Sequence, residues 1–258
     1  MVFDVRNADL DGLNSATKYP SIPTYHALGE RGSLTGAVTE FAGRVIGTEK
    51  VDGTNARVIG LPDGTWLLGS REELLCAKGD LIGNPALGIV AALREFAEAA
   101  VPDEDVVQVF YVELYGGKIT GASAQYTGRR AVGYRMFDLV VLRDYTELFA
   151  ASRAEISRWR ESGGQPFASE TDLAAAAHRY GLELTPRLFD LPASELPTEI
   201  DKTRDFLAEF LPRTRCDLDA DAGGRPEGIV LRTADRSVIA KARYEDYDRT
   251  LRRRGSGR

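Results

Sequence analysis

Residues 48–55 read Thr-Glu-Lys-Val-Asp-Gly-Thr-Asn, and this stretch decides the interpretation of the whole chain. An apolar pair, Val45-Ile46, precedes Lys50, and Asp52-Gly53 follows it. The apolar pair predicts a short buried strand, and Asp-Gly predicts the turn that ends it. The Lys50 amine would then border a cleft, where desolvation and a neighbouring cation favour its neutral, nucleophilic form. An exposed lysine beside a turn is the plainer alternative, so residues elsewhere must decide.

The composition fits an ordinary soluble globular protein. The chain has 258 residues, 43% hydrophobic and 28% charged, enough for one large domain or two small ones. We predict neither a transmembrane helix nor a secretory signal, because no apolar run reaches about 18 residues and residues 1–4 are not basic. Cys76 and Cys216 lack metal-ligand spacing and lie far from both histidines. This pattern predicts a reducing cytoplasm and disfavours a zinc site, a disulfide scaffold and histidine catalysis.

Net charge argues that any nucleic-acid contact must be local. The chain carries a formal charge of −6, so a nucleic-acid binder would have to concentrate its basic residues. The last ten residues do so with Arg249, Arg252, Arg253, Arg254 and Arg258. A frayed, solvated tail is the plainer interpretation, since Gly255-Ser256-Gly257 lies within it.

The order of predicted elements indicates an α+β fold with largely antiparallel sheets. Residues 1–44 look irregular. The predicted strands are 56–61 and 66–70, which form a hairpin, and 106–114, 135–142, 227–232 and 237–243. One predicted helix begins at Asn84-Pro85. Three further helices are predicted at roughly 144–160, 170–180 and 197–210. The hairpin should return Arg71 close to Lys50.

Several polar residues stand within apolar, strand-like runs, where charge is costly unless it is paired or functional. Glu113 lies in V-E-L-Y, Glu227 in P-E-G-I-V and Lys241 in V-I-A-K-A. A structural salt bridge explains any one of them. The full set, which adds one aromatic residue, is harder to assign to chance: Lys50, Arg71, Glu113, Phe137 (aromatic), Glu227, Lys241 and Arg243.

These motifs, in this order, resemble the covalent nucleotidyltransferase superfamily of polynucleotide ligases and messenger-RNA capping enzymes. The motifs are T-E-K-V-D-G-T-N, Y-V-E-L-Y-G-G, M-F-D-L-V-V, E-G-I-V-L-R and K-A-R-Y-E-D-Y, within residues 18–250. The RNA ligase branch, particularly the RNA ligase 2-like group, is most similar, because it shares K-x-D-G-T-N. DNA ligases that use ATP typically have arginine at the position of Asn55. K-Y-P-S-I and the S-R after the hairpin also look like that branch.

The resemblance implies an ATP-grasp-like nucleotidyltransferase domain with flanking helices. We assign residues 1–248 to this adenylyltransferase domain and residues 249–258 to a basic C-terminal tail. Related DNA ligases and capping enzymes carry an OB domain after the last motif, and RNA ligase 2-like proteins carry a helical one. Neither fits after Tyr247, so a partner protein is a candidate source of the missing domain.

The resemblance also implies an ATP-dependent RNA ligase acting in three phosphoryl transfers. Lys50 attacks the α-phosphate of ATP to form lysyl-AMP, AMP passes to a 5′-phosphate end, and a 3′-hydroxyl displaces it. Positioning and charge neutralisation supply most of the catalysis in such transfers. The implied catalytic residues are Lys50, Glu227 and Lys241, and the expected partners are ATP and RNA ends, with no membrane.

The remaining roles follow from the same resemblance. Glu113 would bind the ribose hydroxyls, Phe137 would stack on adenine, and Glu227 would hold Mg²⁺ or Mn²⁺ that arrives largely with ATP. Phosphate contacts would come from Asn55, Arg71, Lys241 and Arg243, and backbone contacts with the adenine edge from Thr48, Glu49 and Val51. Arg243 stands where the family usually has a second lysine, which leaves that contact geometry open.

Two other interpretations stay open. One is another enzyme of the superfamily, either a DNA ligase or a GTP-using capping guanylyltransferase. The other is a nucleotide-bound RNA-end-binding module with little sealing activity, which the missing second domain motivates. The nucleotide that labels Lys50, and the kind of end that is sealed, separate these alternatives.

Overall fold

The structure, a computed structural model, describes residues 9–78, 80–81, 88–102 and 105–256. Within these residues the helices are α1 (Leu10–Ala16), α2 (Ile89–Ala99), α3 (Tyr145–Ala150), α4 (Arg153–Glu161), α5 (Glu170–Tyr180), α6 (Ile200–Phe210) and α7 (Tyr244–Ser256). The strands are β1 (His26–Leu28), β2 (Leu34–Val38), β3 (Arg44–Lys50), β4 (Thr54–Gly60), β5 (Trp66–Ser70), β6 (Leu74–Ala77), β7 (Asp80–Leu81), β8 (Val107–Gly116), β9 (Val132–Leu142), β10 (Arg187–Pro192), β11 (Gly228–Thr233) and β12 (Ile239–Arg243).

These strands form three sheets, and within each sheet every pair of neighbouring strands is antiparallel. The strand orders are β1-β2, β10-β3-β11-β12 and β7-β6-β5-β4-β8-β9. These pairings confirm the predicted α+β class with largely antiparallel sheets. None of the described helices is both long enough and apolar enough to cross a lipid bilayer.

The chain divides into two compact units. The first unit comprises Met1–Pro20, Gly53–Ile119 and Val132–Leu184, and the second comprises Ser21–Asp52, Thr120–Ala131 and Thr185–Arg258. The six-stranded sheet belongs to the first unit, and the other two sheets belong to the second.

In the first unit, side-chain alternation along β8 builds a core on each face of the sheet. Phe110, Val112 and Leu114 pack with the apolar faces of α2 and α5. Val109 and Tyr111 lie on the opposite face, in a cluster that includes Leu13 of α1 and Tyr145 of α3. This division follows from the period of a strand, because successive side chains point to opposite faces.

Arg57 ties the N-terminal segment of the first unit to the sheet. It lies on β4 and is only 1% exposed, and its guanidinium donates to the carbonyl and side-chain oxygens of Asn14 and to Thr17 Oγ1. Burial is the main reason why the pKa of Arg57 falls to about 10. Arg57 in N-A-R-V-I-G is a mid-strand charge of the same kind as Glu113, and its role in the fold is structural.

In the second unit, the four-stranded sheet packs one face against α6 and α7. Val45, Ile229 and Ala242 lie on this face, in a cluster with residues of both helices. Gly47 lies on the same face and pairs with Phe189 of β10, and a Cβ atom at Gly47 would approach the Phe189 ring to 2.2 Å. The position therefore requires glycine for close packing of the aromatic ring.

The structure corrects two predictions of secondary structure. Residues 1–44 are not irregular throughout, because α1, β1 and β2 lie within them. The helix predicted at roughly 144–160 is two helices, α3 and α4, and Ser152 caps the second in a capping box with Glu155. The predicted start at Asn84-Pro85 lies outside the described residues, and the helix that follows begins at Ile89.

The arginine-rich tail continues α7 and is not frayed up to Ser256. Arg249 donates to the carbonyl of Gly32 at 2.8 Å, and Arg253 donates to the carbonyl of Arg31 at 2.7 Å. The prediction of a frayed tail is therefore wrong for residues 249–256, because these distant contacts order the helix end. The last two residues lie outside the described part of the chain.

A buried histidine joins β1 to α7 in the second unit. His26 is fully buried, with Nδ1 2.8 Å from Tyr247 Oη and Nε2 3.0 Å from the Thr198 carbonyl. Because a carbonyl only accepts, Nε2 donates to it and Nδ1 accepts from the Tyr247 hydroxyl. Burial lowers the pKa of His26 below its ordinary value of 6.5, and the positive charge of Arg254 acts in the same direction.

We expect His26 to make the free energy of unfolding fall as the solution is acidified. With the folded pKa depressed, the stabilisation is complete above the unfolded value of 6.5 and is lost as the pH falls through the folded pKa. Urea unfolding at several pH values would measure the slope in the wild type and in His26→Gln, whose amide can donate and accept without titrating. Equal slopes in the two proteins would contradict the assignment.

Candidate active site

The predicted nucleophile is paired with a carboxylate within the second unit. Lys50 is the last residue of β3, and its Nζ donates to Glu227 Oε2 at 2.6 Å. The side chains are 25% and 19% exposed, so the pair is partly desolvated but still open to a ligand. Burial raises the pKa of Glu227 above its ordinary value, and the Lys50 charge works against that rise.

Strand register places two further cations on the Lys50 face of the sheet. Gly228 of β11 pairs with Lys50 on one side and with Arg243 on the other. Thr48, Val230 and Lys241 form the next such row, two residues along each strand. Because alternate residues share a face, the sheet brings together Thr48, Lys50, Lys241 and Arg243, with Glu227 just before β11.

Gly228 is the residue that keeps this row open. It has no side chain between Lys50 and Arg243, whose strands flank β11 on either side. A Cβ atom at Gly228 would lie 2.1 Å from the carbonyl oxygen of Ala242, so the backbones of β11 and β12 would have to separate. Gly228 is the glycine of the E-G-I-V-L-R motif, and the motif alone did not predict this role.

Asp246 fixes the geometry of Arg243. The guanidinium donates through Nε at 2.8 Å and through Nη2 at 3.0 Å to the two oxygens of this buried carboxylate, in the first turn of α7. Such a two-pronged pair needs the planar fork of arginine, and a lysine could not form it. Arg243 stands where the family usually has a lysine, and Asp246 orients its guanidinium.

Glu49 lies on the opposite face of the sheet from Lys50. Its buried carboxylate accepts from Thr214 Oγ1 and from the backbone N–H of Arg215, and burial raises the pKa of Glu49. Its own N–H donates to the Pro186 carbonyl at 2.9 Å. A contact between Glu49 and the adenine edge would therefore have to use its carbonyl group. Val51 is buried, and its predicted backbone contact stays a prediction.

The turn after the nucleophile is held by a tyrosine that sequence reasoning missed. The N–H of Asp52 donates to Tyr126 Oη at 2.6 Å, and Tyr126 is fully buried. Burial raises the pKa of Tyr126, so its hydroxyl stays protonated. The only sequence signal was an aromatic residue within the small and polar residues 120–128.

Four predicted nucleotide-binding residues lie in the first unit. Asn55 of β4 pairs directly with Glu113 of β8, and Glu113 Oε1 accepts from the Gly53 N–H at 3.1 Å. Arg71 follows Ser70, which pairs with Ala56, so it lies at the same end of the sheet. Its predicted proximity to Lys50 stays a prediction.

Asn55 supplies the test of whether this end of the sheet suits a ligand. Its Oδ1 atom is buried without a hydrogen-bond partner among the described residues. A buried amide oxygen without a partner is costly, and the amide can turn to offer either an acceptor or a donor. The residue therefore fits a site for a nucleotide with hydroxyl groups and phosphate oxygens.

Phe137, the fourth residue, lies at a bulge. Asp138 pairs with Tyr111 and Met136 pairs with Val112, so Phe137 is the extra residue that β9 carries between these two pairings. Tyr19 contacts the Phe137 ring edge to face at 5.0 Å and donates to Asp138 Oδ2 at 2.8 Å. Phe137 is half-buried, so part of its ring can receive a planar ligand.

Metal ligation would rest on few protein atoms. Across the described part of the chain, no group of three or more His, Cys, Asp or Glu side chains could hold a metal ion. Glu227 offers carboxylate oxygen, which is the ligand that Mg²⁺ and Mn²⁺ prefer. The donor set suits an ion that brings most of its other ligands with it, such as phosphate oxygens and water.

Comparison with known proteins identifies the family. The model of the RNA ligase family matches residues 43–243, which contain four of the five motifs in full and the first three residues of the fifth, Lys241 to Arg243. The chain therefore belongs to the RNA ligase family, and the resemblance to that branch is confirmed. A search of curated proteins found no match.

Solved structures share the fold. An archaeal ATP-dependent RNA ligase aligns with a TM-score of 0.54 and 18% identity, over 89% of this chain and 49% of that chain. A mutant RNA ligase from Naegleria gruberi, with ATP and Mn, aligns with a TM-score of 0.51 and 14% identity, over 90% and 62%. A candidate ATP-dependent DNA ligase from Aquifex aeolicus aligns with 0.51 and 20%, over 90% and 50%. This chain thus spans about half the length of the archaeal and Aquifex proteins.

Proposed function

We propose that this protein is an ATP-dependent RNA ligase that joins 5′-phosphate and 3′-hydroxyl ends through a lysyl-AMP intermediate. The observation that carries the proposal is the Lys50–Glu227 pair, with Lys241 and Arg243 on the same sheet face. A lysine nucleophile, a carboxylate within hydrogen-bond distance and two phosphate-binding cations are the groups that adenylylation requires.

In the first transfer, the Lys50 nitrogen bonds to the α-phosphorus of ATP while the bond to the pyrophosphate oxygen breaks. The ammonium form must lose a proton first, and Glu227 lies 2.6 Å away to take it. Lys241 and Arg243 neutralise the phosphate oxygens.

The next two transfers use the same cations. A 5′-phosphate oxygen of the RNA displaces Lys50 from the AMP phosphorus, and the Lys50 amine is released. A 3′-hydroxyl oxygen then attacks the RNA phosphorus, AMP leaves, and the strands are joined. Each transfer moves negative charge across phosphate oxygens, which favours fixed cations held by the backbone of a sheet.

The other nucleotide contacts in this proposal are those that the resemblance implies. Glu113 accepts from the ribose hydroxyls, Phe137 stacks on adenine, and Asn55 and Arg71 contact the phosphates. Glu227 would hold Mg²⁺ or Mn²⁺, which when bound neutralises phosphate charge. We further propose residues 1–248 as the catalytic domain and a cytoplasmic location, which the presence of only two cysteines in the sequence supports.

Labelling and sealing assays test the proposed function. The protein is incubated with radiolabelled ATP or GTP and Mg²⁺, and then with nicked RNA or nicked DNA. We expect covalent label from ATP and not from GTP, and we expect sealing of the nicked RNA. Label from GTP would favour a capping enzyme, sealing of DNA a DNA ligase, and RNA binding without label an end-binding module.

Replacing Phe137 with alanine should weaken nucleotide binding by roughly 1–3 kcal/mol, the usual contribution of stacking between a base and an aromatic ring. The preference for ATP over GTP should not change, because every base has a π-face and stacking does not distinguish them. Calorimetric titration with both nucleotides measures the effect. Phe167→Ala is the matched control, because Phe167 also contacts Tyr19 but has no predicted base contact. A switch of preference to GTP would show that the base lies elsewhere.

A further inference from the structure

The second unit contains a cavity of about 460 Å³ beside the β1–β2 hairpin and β12. Its size falls within the range of roughly 300–1,000 Å³ that is typical of small-ligand sites. The wall that contains Pro23 and Thr24 is hydrogen-bonded to β12. The Tyr25 N–H donates to the Lys241 carbonyl at 2.8 Å, and the Lys241 N–H donates to the Pro23 carbonyl at 2.9 Å. The cavity is therefore built into the sheet edge.

The part of the cavity formed by β12 is cationic. Lys241 and Arg243 line it, and both lie on the sheet face that carries Lys50. Asp246 orients the Arg243 guanidinium, so this cation has a defined direction. Two cations suit a phosphate monoester, whose charge near neutral pH is about −1.5 to −2.

The rest of the cavity is largely apolar. Ile22, Pro23, Leu28 and Val38 line it, and Leu28 is 52% exposed. Exposed apolar surface beside cations does not suit the β- and γ-phosphates of a nucleotide, because phosphate oxygens need donors or cations throughout. It suits a ligand that joins one phosphate to a flat, weakly polar body, as a nucleotide at a strand end does.

We propose that this cavity binds the terminal nucleotide of a 5′-phosphorylated RNA strand. The phosphate lies on Lys241 and Arg243, and the base packs against Leu28 and Val38. The inference rests on the proposed function and adds to it a base-binding subsite, built by a hairpin that precedes the first of the five motifs. Lys241 and Arg243 would therefore hold the 5′-phosphate of the RNA on the sheet face that carries Lys50.

Leu28→Asp tests the subsite. The change removes apolar contact and places a negative charge beside the phosphate, so the Kd for a 5′-phosphorylated RNA oligonucleotide should rise about tenfold. Fluorescence anisotropy measures this Kd, with the 5′-hydroxyl oligonucleotide run in parallel. Lys50 should still be labelled when ATP is saturating, which also shows that the variant is folded.

Val132→Asp is the matched control, because Val132 is 49% exposed and belongs to the first unit. It should bind the phosphorylated oligonucleotide like the wild type. An equal Kd for Leu28→Asp and wild type would overturn the subsite, whether or not ATP labelling is lost. Absence of binding by the wild type would also overturn it.

The same measurements separate this inference from the proposed function. Phosphate-dependent RNA binding that is weakened by Leu28→Asp, without any labelling of Lys50, would contradict the ligase and leave the subsite standing. Normal labelling and sealing by Leu28→Asp, with unaltered RNA binding, would contradict only the subsite.

Discussion

Replacing Lys50 with arginine should abolish covalent labelling of the protein by ATP. A guanidinium stays protonated and cannot offer the electron pair that the new bond to phosphorus needs. Arginine keeps a cation beside Glu227, so the pair that spans β3 and the start of β11 is preserved and the fold should survive. Radiolabelled ATP, followed by denaturing electrophoresis, measures the loss.

Lys78→Arg is a suitable control, because Lys78 is exposed and its amine donates only to the Gly64 carbonyl among the contacts of the described residues. It should label like the wild type. Label that persists in Lys50→Arg would show that another residue is the nucleophile, and mass spectrometry of the labelled peptide would locate it.

Replacing Gly228 with alanine should damage both stability and activity. The added Cβ would meet the Ala242 carbonyl oxygen at 2.1 Å, so β11 and β12 must move apart. Forcing extra volume into a packed site costs about 1–3 kcal/mol, which urea unfolding would detect. A displacement of about 1 Å at β12, which carries Lys241 and Arg243, could lower the labelling rate roughly a hundredfold.

Gly36→Ala provides the comparison within the second unit. Gly36 lies on β2, and no atom lies within 4 Å of the position that its Cβ would take, so stability and labelling should both be unchanged. If Gly228→Ala labels at the wild-type rate, the row of Lys50, Gly228 and Arg243 does not position the phosphate, and the role of the two cations must be revised.

Local sequence was sufficient to predict the strand that ends at Lys50 and the face of β8 on which Glu113 lies. The apolar run before Lys50 and the Asp-Gly after it predicted a strand that ends at the nucleophile, and β3 does end there. Alternation along β8 put Glu113 on the face of Tyr111, as the structure has it. These features depend on neighbours within a few residues, and the period of a strand or a turn signal reports them directly.

Tertiary structure decided which distant residues meet. Glu227 lies 177 residues from Lys50 along the chain, and only the register of β3 with β11 brings them to 2.6 Å. The helical end of α7 depends on contacts of Arg249 and Arg253 with residues more than 200 positions away in the sequence. The glycines near the C-terminus had instead predicted a frayed tail.

The sequence by itself therefore determined the family, the strand that carries the nucleophile and the types of residue in the site. The tertiary structure decided the partner of Lys50, the orientation of Arg243 by Asp246, and the requirement for glycine at position 228. The physical reason is range. Strand periodicity and turn propensity act over a few residues, whereas ion pairing, burial and steric exclusion act between groups that only the folded chain brings within a few ångströms.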